Sequence, residues 1–274
     1  MTMPLGLFSK LVRMRLFLLA TLVFSGCGYA QYESRLSETK KYWAYLDKIE
    51  QFLAPKWYAQ EIQMELRVPN QFYLIPPPQR IQREDGTVEE PSVDPRQPDY
   101  LNLTFPELFG AWETPLTVLK TDGGQENRKG YLYAVCNYWQ LVGEQASEAG
   151  QFLANLKTHM AEKLQVPPSD ERVENQPSGY PAYQPISPFD VCDFKGIEIE
   201  GIRYNFTVYS KTSGSVIGVL ILVLPEGMDA PQKISERIPL MLASFNLAKS
   251  PPTSLQTKNA PAAQQQSSPA KQGF

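Results

Sequence analysis

One histidine, His159, and three cysteines, Cys27, Cys136 and Cys192, are all the chain offers as imidazole or thiolate groups, whether as zinc ligands or as strong nucleophiles. No H-E-x-x-H, no C-x-x-C pair and no histidine cluster exists, so the sequence supplies no zinc set. A Ser-His-Asp triad would have to use His159, and no G-x-S-x-G precedes it, which discounts serine hydrolysis. His159 lies beside Met160 on an amphipathic segment, where a helix-flank ring with a satisfied nitrogen is the plain reading. Gly123-Gly124 lacks the lysine and helix start of a phosphate cradle, and a turn explains it. Carboxylates remain. Asp190 with Asp193, or Glu198 with Glu200, would be the acid/base or oxygen-ligand pairs. Residues two apart in a strand share a face, which sets Glu198 and Glu200 side by side. The solvated outer face of a strand accounts for that pair more simply. No catalytic residue, metal ligand or cofactor is assigned.

Cys27 points elsewhere. Lys10, Arg13 and Arg15 lead into a short apolar run, Leu16 to Phe24, closed by small residues, the layout of a secretory signal peptide over residues 1–26. The run is nine residues long, short for a spanning helix, which needs about 20; an uncut anchor is the alternative. Ser25-Gly26-Cys27 resembles the lipobox of bacterial lipoproteins, with Phe24 where that motif usually carries leucine. The resemblance implies cleavage before Cys27 and lipidation on it. A second resemblance, to exported lipoproteins of planctomycete-type bacteria, covers GCGYAQYESRLSETKKYWAYLDKIEQFLAPKW and supports the same localisation. Gly28 stands where an aspartate retains some lipoproteins at the inner membrane, which favours the outer membrane in a two-membrane cell. An exported chain matures where disulfides persist, and with Cys27 lipidated an even number of cysteines is left. Cys136 and Cys192 therefore admit two readings: a bond between them, or two buried free thiols.

Removing residues 1–26 takes away Lys10, Arg13 and Arg15 and no acid, moving the net charge from −3 to −6. A mildly acidic chain argues against a nucleic-acid partner. Its 274 residues suffice for one domain with a real core. The 24 prolines are clustered, as in long loops.

The elements that must position these residues can be read in order. Tyr29 to Ala54 reads as a long helix ended by Pro55, with Tyr29, Leu36 and Trp43 interleaved by Tyr32, Thr39, Leu46 and Leu53 in an a/d pattern. Its stripe is either a pairing seam or core against the chain's own body. Residues 61–68 alternate as a strand, and Phe72 to Ile75 is a short apolar piece. Residues 76–98 form a proline-rich excursion, an idle loop or an extended segment for a partner's groove. Pro115–Thr121 and Gly130–Leu141 read as a hairpin, Tyr131, Tyr133, Val135 and Asn137 facing one way and Leu132, Ala134, Cys136 and Tyr138 the other. Glu144–Gln165 is an amphipathic helix with Ala149, Phe152, Leu153, Leu156, Met160 and Leu164 as its stripe. A proline-rich connection follows over 167–188. Strands at Ile197–Ile199, Ile202–Tyr209 and Ser215–Leu224 come next, the last two joined by a turn at Lys211–Gly214. The unbroken apolar run Gly218–Leu224 marks a central strand covered on both faces. A helix over Ala230–Leu247, capped by Asp229 and kinked or split at Pro239, closes the domain. The tail, 248–274, is low-complexity and expected to be disordered.

Hairpins plus helices on a face define an α+β fold with a mostly antiparallel sheet, one domain over 56–247 behind a helix at 27–55. The closing pattern, a hairpin ending in LILVLP and a helix ending Ile238-Pro-Leu-Met-Leu-Ala-Ser-Phe245, resembles the Mog1/PsbP-like fold. That resemblance covers roughly residues 60–247 and implies an antiparallel sheet between helices. The resemblance implies a binding or assembly factor. Joined to the lipobox-like Cys27 and the lack of a catalytic set, it gives the expectation of a non-enzymatic binding or assembly module of the envelope, attached to the membrane through Cys27, with an envelope protein as a possible partner. An envelope ligand-binding protein or hydrolase with a carboxylate/tyrosine cleft is the alternative, and a purely structural spacer a third.

Overall fold

The computed structural model describes residues 5–60, 62–78, 81–82, 88–89, 93–119, 123–176, 186–228 and 232–250, with the side chains of 5–28, 81–82 and 88–89 outside that description. In chain order the elements are α1 (Leu5–Phe52), β1 (Trp57–Ala59), β2 (Met64–Leu66), β3 (Tyr73–Leu74), β4 (Ile81–Gln82), β5 (Val88–Glu89), β6 (Leu108–Leu119), β7 (Gln125–Cys136), α2 (Tyr138–Val142), a 3-10 turn (Ala149–Gln151), α3 (Phe152–Leu164), β8 (Ser169–Gln176), β9 (Ser187–Ile199), β10 (Ile202–Ser213), β11 (Val216–Pro225) and α4 (Ile234–Ser244). The chain divides into two compact units, the helix up to Gln51 and the body that begins at Phe52. Helix α1 runs unbroken through Cys27 and stops at Phe52, ahead of Pro55. Along it Tyr29, Tyr32, Leu36 and Trp43 are exposed. Among the described residues no helix is long and apolar enough to cross a membrane.

The body is α+β. Its main sheet has seven strands in the order β3-β6-β7-β11-β10-β9-β8, with every neighbouring pair antiparallel; β1–β2 and β4–β5 pair separately. The apolar run of β11 takes the middle place, as its lack of alternation predicts. Strand register assigns the two faces. Tyr133 and Val135 of β7, Val219, Ile221 and Val223 of β11 and Phe206 and Val208 of β10 pack with Phe152, Leu156, Met160 and Leu164 of α3. Leu132, Ala134 and Cys136 sit opposite Leu222, Leu220 and Gly218 on the other face, where Ile238 and Leu242 of α4 border a cleft with Leu222 and Tyr209. The expected alternation of residues 131–136 is thus observed; Asn137 and Tyr138 lie beyond the strand.

Two tight turns fix the register of the last hairpins. Glu200-Gly201 joins β9 to β10 with φ of 49° and 78°, the left-handed pair of a type I′ turn. Gly214-Ser215 joins β10 to β11, so Lys211–Ser213, expected in the turn, belong to β10. In β9 Gly196 (φ 72°) forms a bulge against Asn205, whose Oδ1 accepts the Gly196 N–H at 3.1 Å.

The connection expected over 167–188 contains β8, an edge strand so polar (SDERVENQ) that apolar alternation could not reveal it. Residues 177–185 lie outside the described set. Helix α4 passes Pro239 as one element and begins at Ile234; Asp229 and Pro231 are outside the described residues. Its end explains the Ser-Phe motif. The Ser244 hydroxyl donates to Met241 O (2.7 Å) and accepts the Arg67 N–H (2.9 Å), and Phe245 and Leu247 fill the space over Gly218, where a Cβ would lie 2.8–2.9 Å from their side chains. The ordered chain continues past 247, with Lys249 O accepting the Ser215 N–H at 3.1 Å; residues 251–274, the rest of the expected tail, are outside the description.

Candidate functional site

At the end of the sheet where β11 finishes, the β7–β11 ladder stops at Tyr131–Val223, while the first half of β7 continues against β6 alone, with Lys129 opposite Pro115 and Arg128 opposite Leu116. Arg128 crosses from there to the β9–β10 turn. Its Nη1 donates to Glu200 Oε2 at 2.5 Å and its Nη2 to Glu200 O at 3.1 Å, and Nη2 also lies 2.5 Å from Glu126 Oε1. A charge-assisted clamp on both the carboxylate and the carbonyl of Glu200 holds this residue in a left-handed conformation that glutamate ordinarily avoids. Beside it, Lys129 Nζ donates to Glu113 Oε2 at 2.8 Å.

Tyrosines line the α3 side of the same place. Tyr100 stacks on Tyr131 at 4.7 Å between ring centroids, Tyr131 lies 6.1 Å from Tyr133, and Phe105 closes the row 4.8 Å from Tyr133. The Tyr100 and Tyr133 hydroxyls share a hydrogen bond of 2.8 Å. Together Asp99, Tyr100, Pro115, Tyr131, Glu200 and Tyr204 enclose a groove of about 460 Å³, a size suited to a small ligand. A second hollow, about 760 Å³, adjoins it through Arg128 and Glu200. Burial pushes the phenols of Tyr100, Tyr131, Tyr133 and Tyr204 up from their usual range, with Asp99, Glu113 and Glu200 adding to the shift at Tyr131. The phenols therefore stay neutral and keep their protons.

The residues singled out from sequence are scattered. Cys136 lies on β7 facing Gly218, Cys192 on β9 opposite Val208 of the α3-side core. They sit on opposite faces and three strand spacings apart, about 14 Å at ~4.8 Å each, far beyond the Cα separation of a disulfide. Of the two readings open for this pair, the structure therefore has two buried free thiols; burial raises Cys192 and pushes Cys136 to about 12. Asp190 and Asp193 point from opposite faces, pairing with Ser210 and Thr207 respectively, and do not form a pair. Asp190 is exposed, whereas Asp193 is buried and bound by Arg172 Nη1 at 2.9 Å. Glu198 is on β9 opposite Arg203, but Glu200 has left the strand for the turn, so these two are separated as well. The Nε2 of His159 lies 3.0 Å from Thr104 O, a ring satisfied by backbone. Gly123 has φ of 83° in the link from β6 to β7. Cys27 falls within α1, its side chain outside the description. Among the described residues no group of three His, Cys, Asp or Glu side chains gathers where it could hold a metal ion.

Sequence reasoning missed Asp99, Tyr100, Arg128 and Glu200 as neighbours. The alternation around Tyr131 and Tyr133 was visible; a contact between residues 72 positions apart, Arg128 and Glu200, was not. Fold and site together define an α+β protein with a tyrosine–carboxylate groove at one end of an antiparallel sheet. No protein-family model matches the chain, and no curated protein matches it either.

Proposed function

We propose that this chain is a lipid-anchored, non-enzymatic binding module of the cell envelope, with a body of the Mog1/PsbP-like kind. The observation that carries the reading is the groove. Its phenols are held protonated by burial, and its two cations, Arg128 and Lys129, already engage carboxylates. Such groups hold and orient a ligand; none is a nucleophile paired with a base. The open stripe of Tyr29, Tyr32, Leu36 and Trp43 on α1 adds a surface of the kind that partner helices use. The basic start, short apolar run and small-residue end before Cys27 support attachment to a membrane, facing the periplasm or the exterior. Stable attachment needs two or more acyl chains, since one holds a protein only marginally.

Two experiments on the full chain test the parts of this reading. Cys27→Ala is expected to move the protein from the membrane to the soluble fraction; persistence in the membrane would reject the lipid anchor. A photo-reactive residue in place of the exposed Asn127, at the groove's rim, is expected to give one discrete adduct in cells. Recovery of uncrosslinked protein alone would reject the groove as the binding surface.

A further inference from the structure

We infer that the groove takes a primary ammonium group on an aliphatic stem, such as a lysine side chain or an alkyl amine; the inference rests on the binding reading above. The first reason is charge. Asp99 and Glu200 line the groove with Arg128 and Lys129, while Glu113 and Glu126, outside the lining, pair with those cations: Glu113 holds Lys129, and Glu126 with Glu200 holds Arg128. The six groups together carry a net of two negative charges, and among the described residues Asp99 is the carboxylate of the six that no cation holds. A ligand anion would find only cations that are already shared. A ligand cation finds carboxylate at the groove's mouth, with Asp99 exposed there.

The second reason is hydrogen-bonding capacity. An ammonium carries three donors and no acceptor, so it wants a wall of acceptors. The Tyr100 and Tyr133 hydroxyls are taken up with each other, which leaves Tyr131 and Tyr204 to offer phenol oxygens beside the carboxylates. A neutral phenol keeps an acceptor oxygen as well as its O–H donor, so each can take one of the ammonium's hydrogen bonds. The third reason is the lining between those groups. Pro115, Ile199 and the ring of Tyr204 are apolar, a surface for methylene groups rather than for a hydrated ion.

Titration calorimetry of the full-length protein with n-butylammonium, against its neutral counterpart n-butanol, tests the assignment. We expect n-butylammonium to bind at least roughly tenfold more tightly than n-butanol, a difference of the size that one charge-assisted contact supplies. Asp99→Asn should weaken n-butylammonium by about fivefold or more, and Tyr131→Phe should weaken it without loss of the folded near-UV spectrum. Equal binding of the charged and neutral probes, or unchanged binding in both variants, overturns the proposal. Two further probes separate the sources of the group. Tighter binding of Nα-acetyl-lysine-N-methylamide than of 1,4-diaminobutane supports a lysine on a protein partner, and the reverse supports a free amine. If n-butylammonium fails while the adduct at position 127 persists, the ligand class falls and the binding reading stands. If both fail, both fall.

Discussion

Asn137 is wholly buried, and every polar atom of its side chain is used. Its Nδ2 donates to Ala149 O at 3.0 Å and Ser215 O at 3.1 Å, and its Oδ1 accepts the Ile217 N–H at 2.8 Å. One side chain thereby ties the end of β7 to the start of β11 and to the turn ahead of α3. Asn137→Ala would strand three partners, each costing about 1–3 kcal/mol if left unpaired. With partial relief by water, a loss of roughly 3 kcal/mol in urea unfolding is expected, while the unfolding slope stays as it was. A second test concerns the thiols. Burial raises Cys136 and Cys192, so neither presents a thiolate at neutral pH. Both are expected to resist alkylation in the native protein and both to react in denaturant without reductant. Protection that survives denaturant and yields only to reductant would restore the disulfide. At this scale the sequence spoke clearly for His159, whose backbone-satisfied ring follows from its place on a helix flank. It left the cysteines open between a bond and two thiols, because cysteine parity says nothing about which face of a sheet each one occupies.

Elements show where patterns carry and where they fail. Alternation located β10, a hairpin pattern located the second half of β7, and continuous apolarity both located β11 and placed it at the centre, because burial on two faces demands it. β8 has no such signature. Beside its backbone ladder to β9 it is tied to its neighbours by ion pairs: Lys195 with Asp170, Lys157 with Glu171 at 2.8 Å, and Arg172 with Asp193 at 2.9 Å. Charges on an edge strand also discourage pairing with other chains. Among these contacts only the one to Asp193 involves a buried acid, so Arg172 is the element's main pin. Arg172→Leu leaves Asp193 without its cation and is expected to cost about 2 kcal/mol, less than a fully buried pair because the arginine is partly solvated. Amide exchange across Ser169–Gln176 should quicken more than exchange in β11. Glu171→Gln, at a solvated pair, should leave β8 exchange unmoved. If Arg172→Leu affected β11 as much as β8, the strand would be held by the sheet as a whole and not by this contact.

For the molecule as a whole, the same burial that shapes the groove sets its response to alkali. Tyr100, Tyr131, Tyr133 and Tyr209 are all raised by burial, and the Cys136 thiol is pushed from its usual 9 to about 12. Each of these acids is neutral when protonated, so a raised folded value means that the native state keeps its proton after the unfolded chain has lost it. The unfolded state then binds fewer protons, and stability falls as pH rises. The window opens near pH 9, where unfolded thiols ionise, widens near pH 10 as unfolded phenols follow, and stays open for Cys136 to about pH 12. Within it each group removes about 1.4 kcal/mol per pH unit. Urea midpoints measured from pH 7 to 11 should therefore be level up to about pH 8.5 and then drop with a slope that steepens above pH 10. Tyr131→Phe and Tyr133→Phe should each make that drop shallower. A midpoint that stayed level to pH 11 would mean that the phenols ionise in place, and the row of neutral tyrosines that gives the groove its acceptors would have to be given up with it.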